Sequence, residues 1–315
     1  VYMTYKAGGF FNKLSIGRMP ATWAQGGAFF GCFTGADRIN WQGSFKLAGY
    51  LALPGFIYEF RYDQSTDRGD ELHQLLPNFI MIGPGKTLEQ LWFVFNVWIP
   101  EKRVNGAQFW KYYIANLYTK FRFGSIVLEV QLNAAFGEIG SNGVDTEDLL
   151  TVKSFGAIIE ATINLGNFSI APQLAMITDW DSDNGGSGFY FVGQAHGSSD
   201  VGGDILGGTF FGKGFGVMHF KVKAAIKLGA IKIWLEPSIA MLLGNHYAQG
   251  SRFDAIPAGM DDGAFLGFEL DWGVTVKITQ GLEFKFEYDY WIPSGYYGEA
   301  YSGIFKVKFT FDMKF

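Results

Sequence analysis

The carboxy-terminal stretch Ser302–Phe315 reads SGIFKVKFTFDMKF and alternates strictly. Phe305, Val307, Phe309, Phe311, Met313 and Phe315 fall on one parity; Lys306, Lys308, Thr310, Asp312 and Lys314 fall on the other. A period of two sends successive side chains to opposite faces of a sheet, so this stretch is a strand with one greasy and one ionic face. The same alternation recurs along nearly the whole chain, which directs the fold towards one large antiparallel sheet and leaves no helix of any length to build on.

Composition decides where such a sheet can live. Of 315 residues, 17% are charged and 18% aromatic, whereas a soluble domain carries about 25% charge. No run approaches the roughly 18 consecutive apolar residues of a membrane helix. In lipid every backbone group must be satisfied internally, so a membrane chain without such runs must be a closed barrel. A net charge of −5 and the lack of a basic cluster argue against nucleic acid. The single Cys32 excludes an internal disulfide framework and a Cys-rich metal site, and no cofactor is expected. No signal peptide is visible, so any export signal is expected outside this sequence.

Hairpins can be laid end to end. Val1–Lys6 turns at Gly8-Gly9 into Phe10–Met19, and Ser44–Leu53 turns at Pro54-Gly55 into Phe56–Asp63. A weak strand at Asn78–Ile82 leads through Gly83-Pro84-Gly85 to Leu88–Ile99, and Gln108–Phe123 turns at Gly124 into Ser125–Phe136. Leu149–Leu165 then pairs with Phe168–Asp179, Phe215–Leu228 with Ile231–Leu243, and Ala264–Thr279 with Leu282–Ile292. Long loops at Pro20–Asn40, Gly137–Glu147, Trp180–Gly214, Gly244–Gly263 and Pro293–Tyr301 alternate with these tight turns. Tight turns on one side and long loops on the other are the outer-membrane arrangement. The whole of 1–315 is expected to be a single barrel domain. About 15 strands can be counted, and bacterial barrels have even numbers, so at least one further strand is expected upstream, giving about 16, or about 18 if three are missing.

Faces follow from parity. Leu282, Phe284, Phe286, Tyr288 and Tyr290 oppose Glu283, Lys285, Glu287 and Asp289; Leu266, Phe268, Leu270, Trp272, Val274, Val276 and Ile278 oppose Glu269, Asp271, Thr275 and Lys277. Met218, Phe220, Val222, Ile226 and Leu228 oppose His219, Lys221, Lys223 and Lys227, while Ile126, Leu128, Val130 and Leu132 oppose Glu129, Gln131 and Asn133. Filled barrels have around 8 strands and water-filled ones 16–18, so the apolar parity should meet lipid and the charged parity should line a lumen. The pore-lining set is then Lys221, Lys223, Lys227 and Lys232 as a basic sector, beside an acidic one of Glu269, Asp271, Glu283, Glu287 and Asp289. Lys277 and Lys285 interrupt the acids, and Lys306 and Lys308 follow on the last strand. Segregated charge of this kind either sets up a transverse field for ions or forms cross-strand ion pairs that hydrate the interior.

Chemistry-bearing motifs are sparse. His219 has the one clear inward strand position among the histidines, with His73, His196 and His246 in loops, and no Ser/His/Asp spacing is recognisable. Asp179–Gly185 has the alternating carboxylates of a Ca²⁺ loop, but its glycine is one position late and no Glu closes it, which reads as an acidic turn. Gly207–Lys213 has the glycine and lysine spacing of a phosphate loop, but Gly214 stands where Ser or Thr is needed. Tyr58, Tyr62, Trp92, Trp98, Trp110, Tyr112, Tyr288, Tyr290, Trp291, Tyr296 and Tyr297 cluster near strand ends, as interfacial girdles do. Trp92, Trp98 and Trp110 have inward parity, which offers a track for sugars or apolar solutes.

Gly17-Arg18, then Gly26–Gly31, Ala36–Asn40 and Tyr50–Phe56 resemble the Gram-negative trimeric porins, where a strand ending in Gly-Arg precedes a long Gly/Phe loop folded into the lumen. Phe315 is similar to that family's terminal aromatic assembly signal. The likeness is in pattern over the whole chain and in motif over residues 14–62. It implies an outer-membrane, homotrimeric, non-enzymatic channel for small hydrophilic solutes, in contact with lipid and lipopolysaccharide. It also implies a constriction carried by Arg18, Asp37 and Arg38, although Arg18 shares parity with lipid-facing Leu14 and Ile16 and Asp37 is the one acid of its loop. Competing readings are a barrel that sheathes a partner protein, a soluble β-rich binding protein and an outer-membrane enzyme.

Overall fold

The structure is a computed structural model, and it describes residues 2–22, 31–62, 71–100, 111–139, 150–177, 217–242, 265–293 and 303–313. Sixteen strands form one sheet: β1 Tyr2–Lys6, β2 Lys13–Thr22, β3 Gly31–Gln42, β4 Phe45–Leu47, β5 Tyr50–Tyr62, β6 Glu71–Ile82, β7 Leu88–Pro100 and β8 Lys111–Phe123, followed by β9 Ile126–Ile139, β10 Leu150–Leu165, β11 Phe168–Ile177, β12 Val217–Leu228, β13 Ile231–Leu242, β14 Phe265–Thr279, β15 Leu282–Pro293 and β16 Ile304–Met313. Each pairs antiparallel with its sequence neighbour, except that β4 lies off the path, so that β3 also pairs β5. No helix occurs among the described residues.

β3 and β4 are two pieces of one arm. Gln42 pairs Gly55 and Phe45 pairs Ala52, one uninterrupted register. The ladder breaks at Gly43-Ser44, where Gly43 donates its N–H to the Pro54 carbonyl and Ser44 donates to that of Phe10. Pro54 cannot donate to a ladder, and it sits at this break. The expected turn at Pro54-Gly55 is therefore wrong: both residues lie inside β5, and the hairpin turns at Ala48-Gly49. Those two residues have φ of 49° and 78°, the positive pair that a two-residue hairpin loop needs to match the strand twist.

The expected loop Pro20–Asn40 is likewise mostly strand, since β2 reaches Thr22 and β3 begins at Gly31; most of the Gly26–Gly31 segment lies outside the described residues. Asn78–Ile82 is the second half of a full-length β6. These differences cancel in the count. Fifteen arms cross the wall once β4 is joined to β3, so β1 and β16 run in the same direction. Each of the two pairs with one neighbour, and the sheet is not closed.

Every second connection is a tight turn, and these turns collect at one end of the sheet, with Gly9, Gly49, Gly85, Gly124, Gly166, Gly229 and Gly281 all at positive φ. The faces separate by polarity. Outward side chains are apolar and exposed, among them Phe220, Leu235, Phe305 at 67% and Phe309 at 64%. Aromatic pairs knit this surface across strands, as in Phe284–Phe311, Phe286–Phe309 and Trp272–Tyr288. The buried polar side chains, Arg38, Glu59, Gln131 and Asp271 among them, are inward, interspersed with aliphatics such as Ile57, Leu76 and Ile114. One local exception has a backbone cause. Leu266 was expected outward but is fully buried, because β14 carries one extra residue against Ala240 and Met241. That bulge turns Leu266 inward. The neighbouring Gly267 has φ 152°, and a Cβ there would lie 2.3 Å from Trp291 Nε1.

Candidate pore wall

The inner face is assembled by parity, one or two polar side chains per strand. Across β3 and β5, Arg38 Nε donates to Glu59 Oε2 at 2.7 Å, with both side chains buried. β6 to β9 contribute amides. Asn96 Nδ2 donates to Gln74 Oε1 at 3.2 Å, Asn116 donates to Asn133, and Gln131 lies beside them. Across β10 and β11, Gln173 donates to Glu160 at 2.7 Å.

From β12 onwards the wall is ionic. Lys221 and Lys223 bind the two oxygens of Glu236 at 3.0 and 3.1 Å. Lys221 is nearly enclosed, its side chain 6% exposed, whereas Lys223 is 43% exposed and also lies 4.7 Å from the Trp234 ring centre. Glu236 faces Asp271, and Asp271 faces Asp289, on adjacent strands. Lys306 stands 3.8 Å from Asp289, Lys308 3.0 Å from Glu287 and Lys277 3.8 Å from Glu283, while Lys285 pairs with Asp312. Lys227 and Lys232 face each other near the turn end, where the wall is open. Glu269 is fully buried opposite Ser238, beside Trp291. Glu236, Asp271 and Asp289 thus form a row of acids on three adjacent strands, flanked by Lys221 and Lys223 on β12 and by Lys306 on β16.

The residues expected at a constriction divide. Arg38 is inward. Arg18 and Asp37 pair with each other at 3.3 Å on the outward parity, with side chains 61% and 42% exposed. The reason is register: Gly17 faces Arg38 on the inner side, so Arg18 and Asp37, each one residue away, must face out.

Trp291 was expected in an interfacial girdle but is buried on the inner face. Trp92 is inward and meets Tyr118 edge-on at 5.6 Å; the Trp98 backbone lies in β7, and Trp110 lies outside the described residues. The motifs at Asp179–Gly185 and Gly207–Lys213, with His196 and His246, also lie outside them. His219 is buried on β12, diagonal to Ser238 on β13. Ser238 Oγ has no hydrogen-bond partner among the described residues, so the bond by which a histidine would activate a serine is not formed. No group of His, Cys, Asp and Glu among the described residues could hold a metal ion.

Sequence reasoning passed over Glu59, Gln74, Asn96, Asn116, Gln173 and Glu236. They sit on strands whose inward parity mixes polar groups with aliphatics and aromatics, as Glu236 does between Trp234 and Ser238, where alternation of charge gives little contrast. Buried polar atoms without partners cost about 1–3 kcal/mol each.

No protein-family model matches the chain, and no curated protein sequence matches it. Among solved structures it is similar to OccK11 (OpdR) of Pseudomonas aeruginosa, with a TM-score of 0.50 and 11% identity, covering 95% of this chain and 75% of that one. OmpT, an outer membrane protein of Vibrio cholerae folded in vitro, superposes with a TM-score of 0.33 and 11% identity over 88% of this chain and 90% of that one, too weakly to carry an argument. The fold is that of the β-barrels of the bacterial outer membrane.

Proposed function

We propose that this chain is a passive, non-enzymatic channel through the outer membrane for small hydrophilic solutes and ions. The supporting observation is its inverted polarity. Among the described residues the outward face is mainly hydrocarbon and aromatic, while nearly all the amides and ion pairs lie on the inward face, among aliphatic side chains such as Ile57, Leu76 and Val94. A sheet of this width would leave a soluble protein with a greasy exterior and a polar core, whereas around a lumen the same arrangement suits lipid outside and water inside. Closing such a wall antiparallel requires an odd number of further strands between β1 and β16, because those two run the same way. The ions of β12–β16 would set the field felt by a permeating solute.

Planar-bilayer recording of the purified protein tests this reading. Stepwise, ohmic conductance in KCl is expected. Its absence in protein shown to be folded would overturn the channel in favour of a barrel that sheathes a partner.

A further inference from the structure

Among the described residues, the inward lysines of β12–β16 are matched to carboxylates with two exceptions. Lys221 and Lys223 share Glu236, Lys306 stands by Asp289, Lys308 by Glu287, Lys277 by Glu283 and Lys285 by Asp312. Lys227 and Lys232 make no ion pair among the described residues. They face each other across β12 and β13, each two residues from the Gly229-Ala230 turn, and both are exposed. Their row runs on through Thr275, Lys285 and Thr310. On the other flank the nearest inward side chains are the neutral Ser169 and Asn164, while Glu160 stands level with Lys221, three rows further in. The three rows nearest the turns therefore hold Lys227, Lys232, Lys277, Lys285 and Lys308 against Glu283, Glu287 and Asp312, an excess of two positive charges. The acid row begins at Glu236, four residues along β13 from Lys232, about 14 Å away, beyond the screening length of about 10 Å at 0.1 M salt. Like charges directly opposite each other weaken a sheet, and an anion held between Lys227 and Lys232 would offset that repulsion.

From this geometry we infer a binding subsite for a small tetrahedral dianion, sulfate or doubly ionised inorganic phosphate, at the turn-end mouth between Lys227 and Lys232, with Thr275 and Lys285 at its edge. The inference deepens the channel reading and rests on it for access of the ion, but the site is defined by its own residues. Each ammonium offers three donors and no acceptor, and the Thr275 hydroxyl can donate as well. Charge-assisted bonds to oxyanions are stronger than neutral ones. A ligand of charge two cancels the excess of these rows, which a single chloride does not. Exposure of both lysines leaves the entry path open.

The test uses the full chain in detergent micelles, titrated calorimetrically with sodium sulfate and with sodium chloride at matched ionic strength, with KCl conductance measured in parallel. Sulfate is expected to bind saturably and chloride not to. The double substitution Lys227→Gln, Lys232→Gln should weaken sulfate binding about tenfold, the worth of roughly one charge-assisted hydrogen bond. Lys120→Gln removes a positive charge near the same end of the wall, four strands away on β8, and should leave sulfate affinity unchanged. Should the double variant fail to fold, as read by heat-modifiable gel mobility, Lys232→Gln serves in its place and should weaken binding in the same direction. Sulfate binding no tighter than chloride, equal affinity in wild type and variant, or an equal loss from Lys120→Gln overturns the site while leaving a conducting channel intact. Saturable sulfate binding without KCl conductance would sink the channel reading and leave the site standing.

Discussion

The wall over β6–β9 and the wall over β12–β16 share an exterior and differ inside. Both present Phe, Leu, Ile and Val outward, as at Phe93 and Phe136 on one side and Phe220 and Phe309 on the other. Inside, the first carries mainly neutral amides, with its Lys120–Glu129 pair near the turn end, and the second carries Lys221, Lys223, Glu236, Asp271, Asp289, Lys306 and Lys308. Lipid dictates the outer face of every strand alike. On the channel reading the inner face answers only to the solute, so it is where two halves of one barrel would diverge. Amide contacts act at hydrogen-bond range, whereas charges act over a screening length of about 10 Å at 0.1 M salt. One half is thus suited to contact recognition and the other to selection by field.

The largest effect that would break this contrast is on stability. Glu236→Leu removes the carboxylate shared by Lys221 and Lys223 and leaves the enclosed Lys221 ammonium without that partner. Breaking a buried pair from one side costs about 3–5 kcal/mol. Asn116→Leu, in the amide wall, strands one amide of Asn133 and should cost about 1–3 kcal/mol. Thermal unfolding of the two variants in detergent, read by heat-modifiable gel mobility, measures the gap. Equal losses would mean that the charged wall is as well hydrated as open solution.

Selectivity should respond next. Lys223 and Lys308 are half-exposed to the lumen, so replacing both with Glu should move the reversal potential towards cations, with a change in permeability ratio of about threefold at 0.1 M salt. The shift should shrink at 1 M, where the screening length falls to about 3 Å. Asn133→Leu on the opposite wall should leave the reversal potential where it was. A shift from that neutral exchange, or none from the two lysines, would remove the division between field and contact.

How much of this was readable beforehand follows the same division. Strict alternation in β12, β14, β15 and β16 made the lipid face and the inward charges legible residue by residue. Side-chain direction is a property of parity alone. What alternation cannot show is register. The row of acids flanked by lysines depends on which residue faces which, as with Glu236 against Asp271, and that is set by turn geometry at the far end of each hairpin. Pro54-Gly55 misled for a related reason. Its turn signal is real chemistry, but here it serves a ladder break at Gly43-Ser44, and the turn itself fell to Ala48-Gly49, with a non-glycine at positive φ. The bulge at Leu266 is invisible to a period-two reading, since one added residue inverts everything on one side of it.

The smallest effect belongs to Arg18 and Asp37, and it separates the two accounts of where they lie. Were they a constriction in the lumen, replacing both with Leu would strip charge from the narrowest point and change both conductance and reversal potential. In the register observed, they face outward beside Ile16 and Ile39 and bind each other at 3.3 Å, largely exposed. An exposed ion pair is worth about 0–1 kcal/mol, and two leucines in its place extend the apolar belt without leaving a lone charge against lipid. The double variant should therefore unfold within about 1 kcal/mol of wild type with unchanged single-channel current. The single change Arg18→Leu should cost more than the double, because it leaves Asp37 unpaired on the lipid side. That reversal, one substitution worse than two, is the result an outward placement requires and a lumenal one does not.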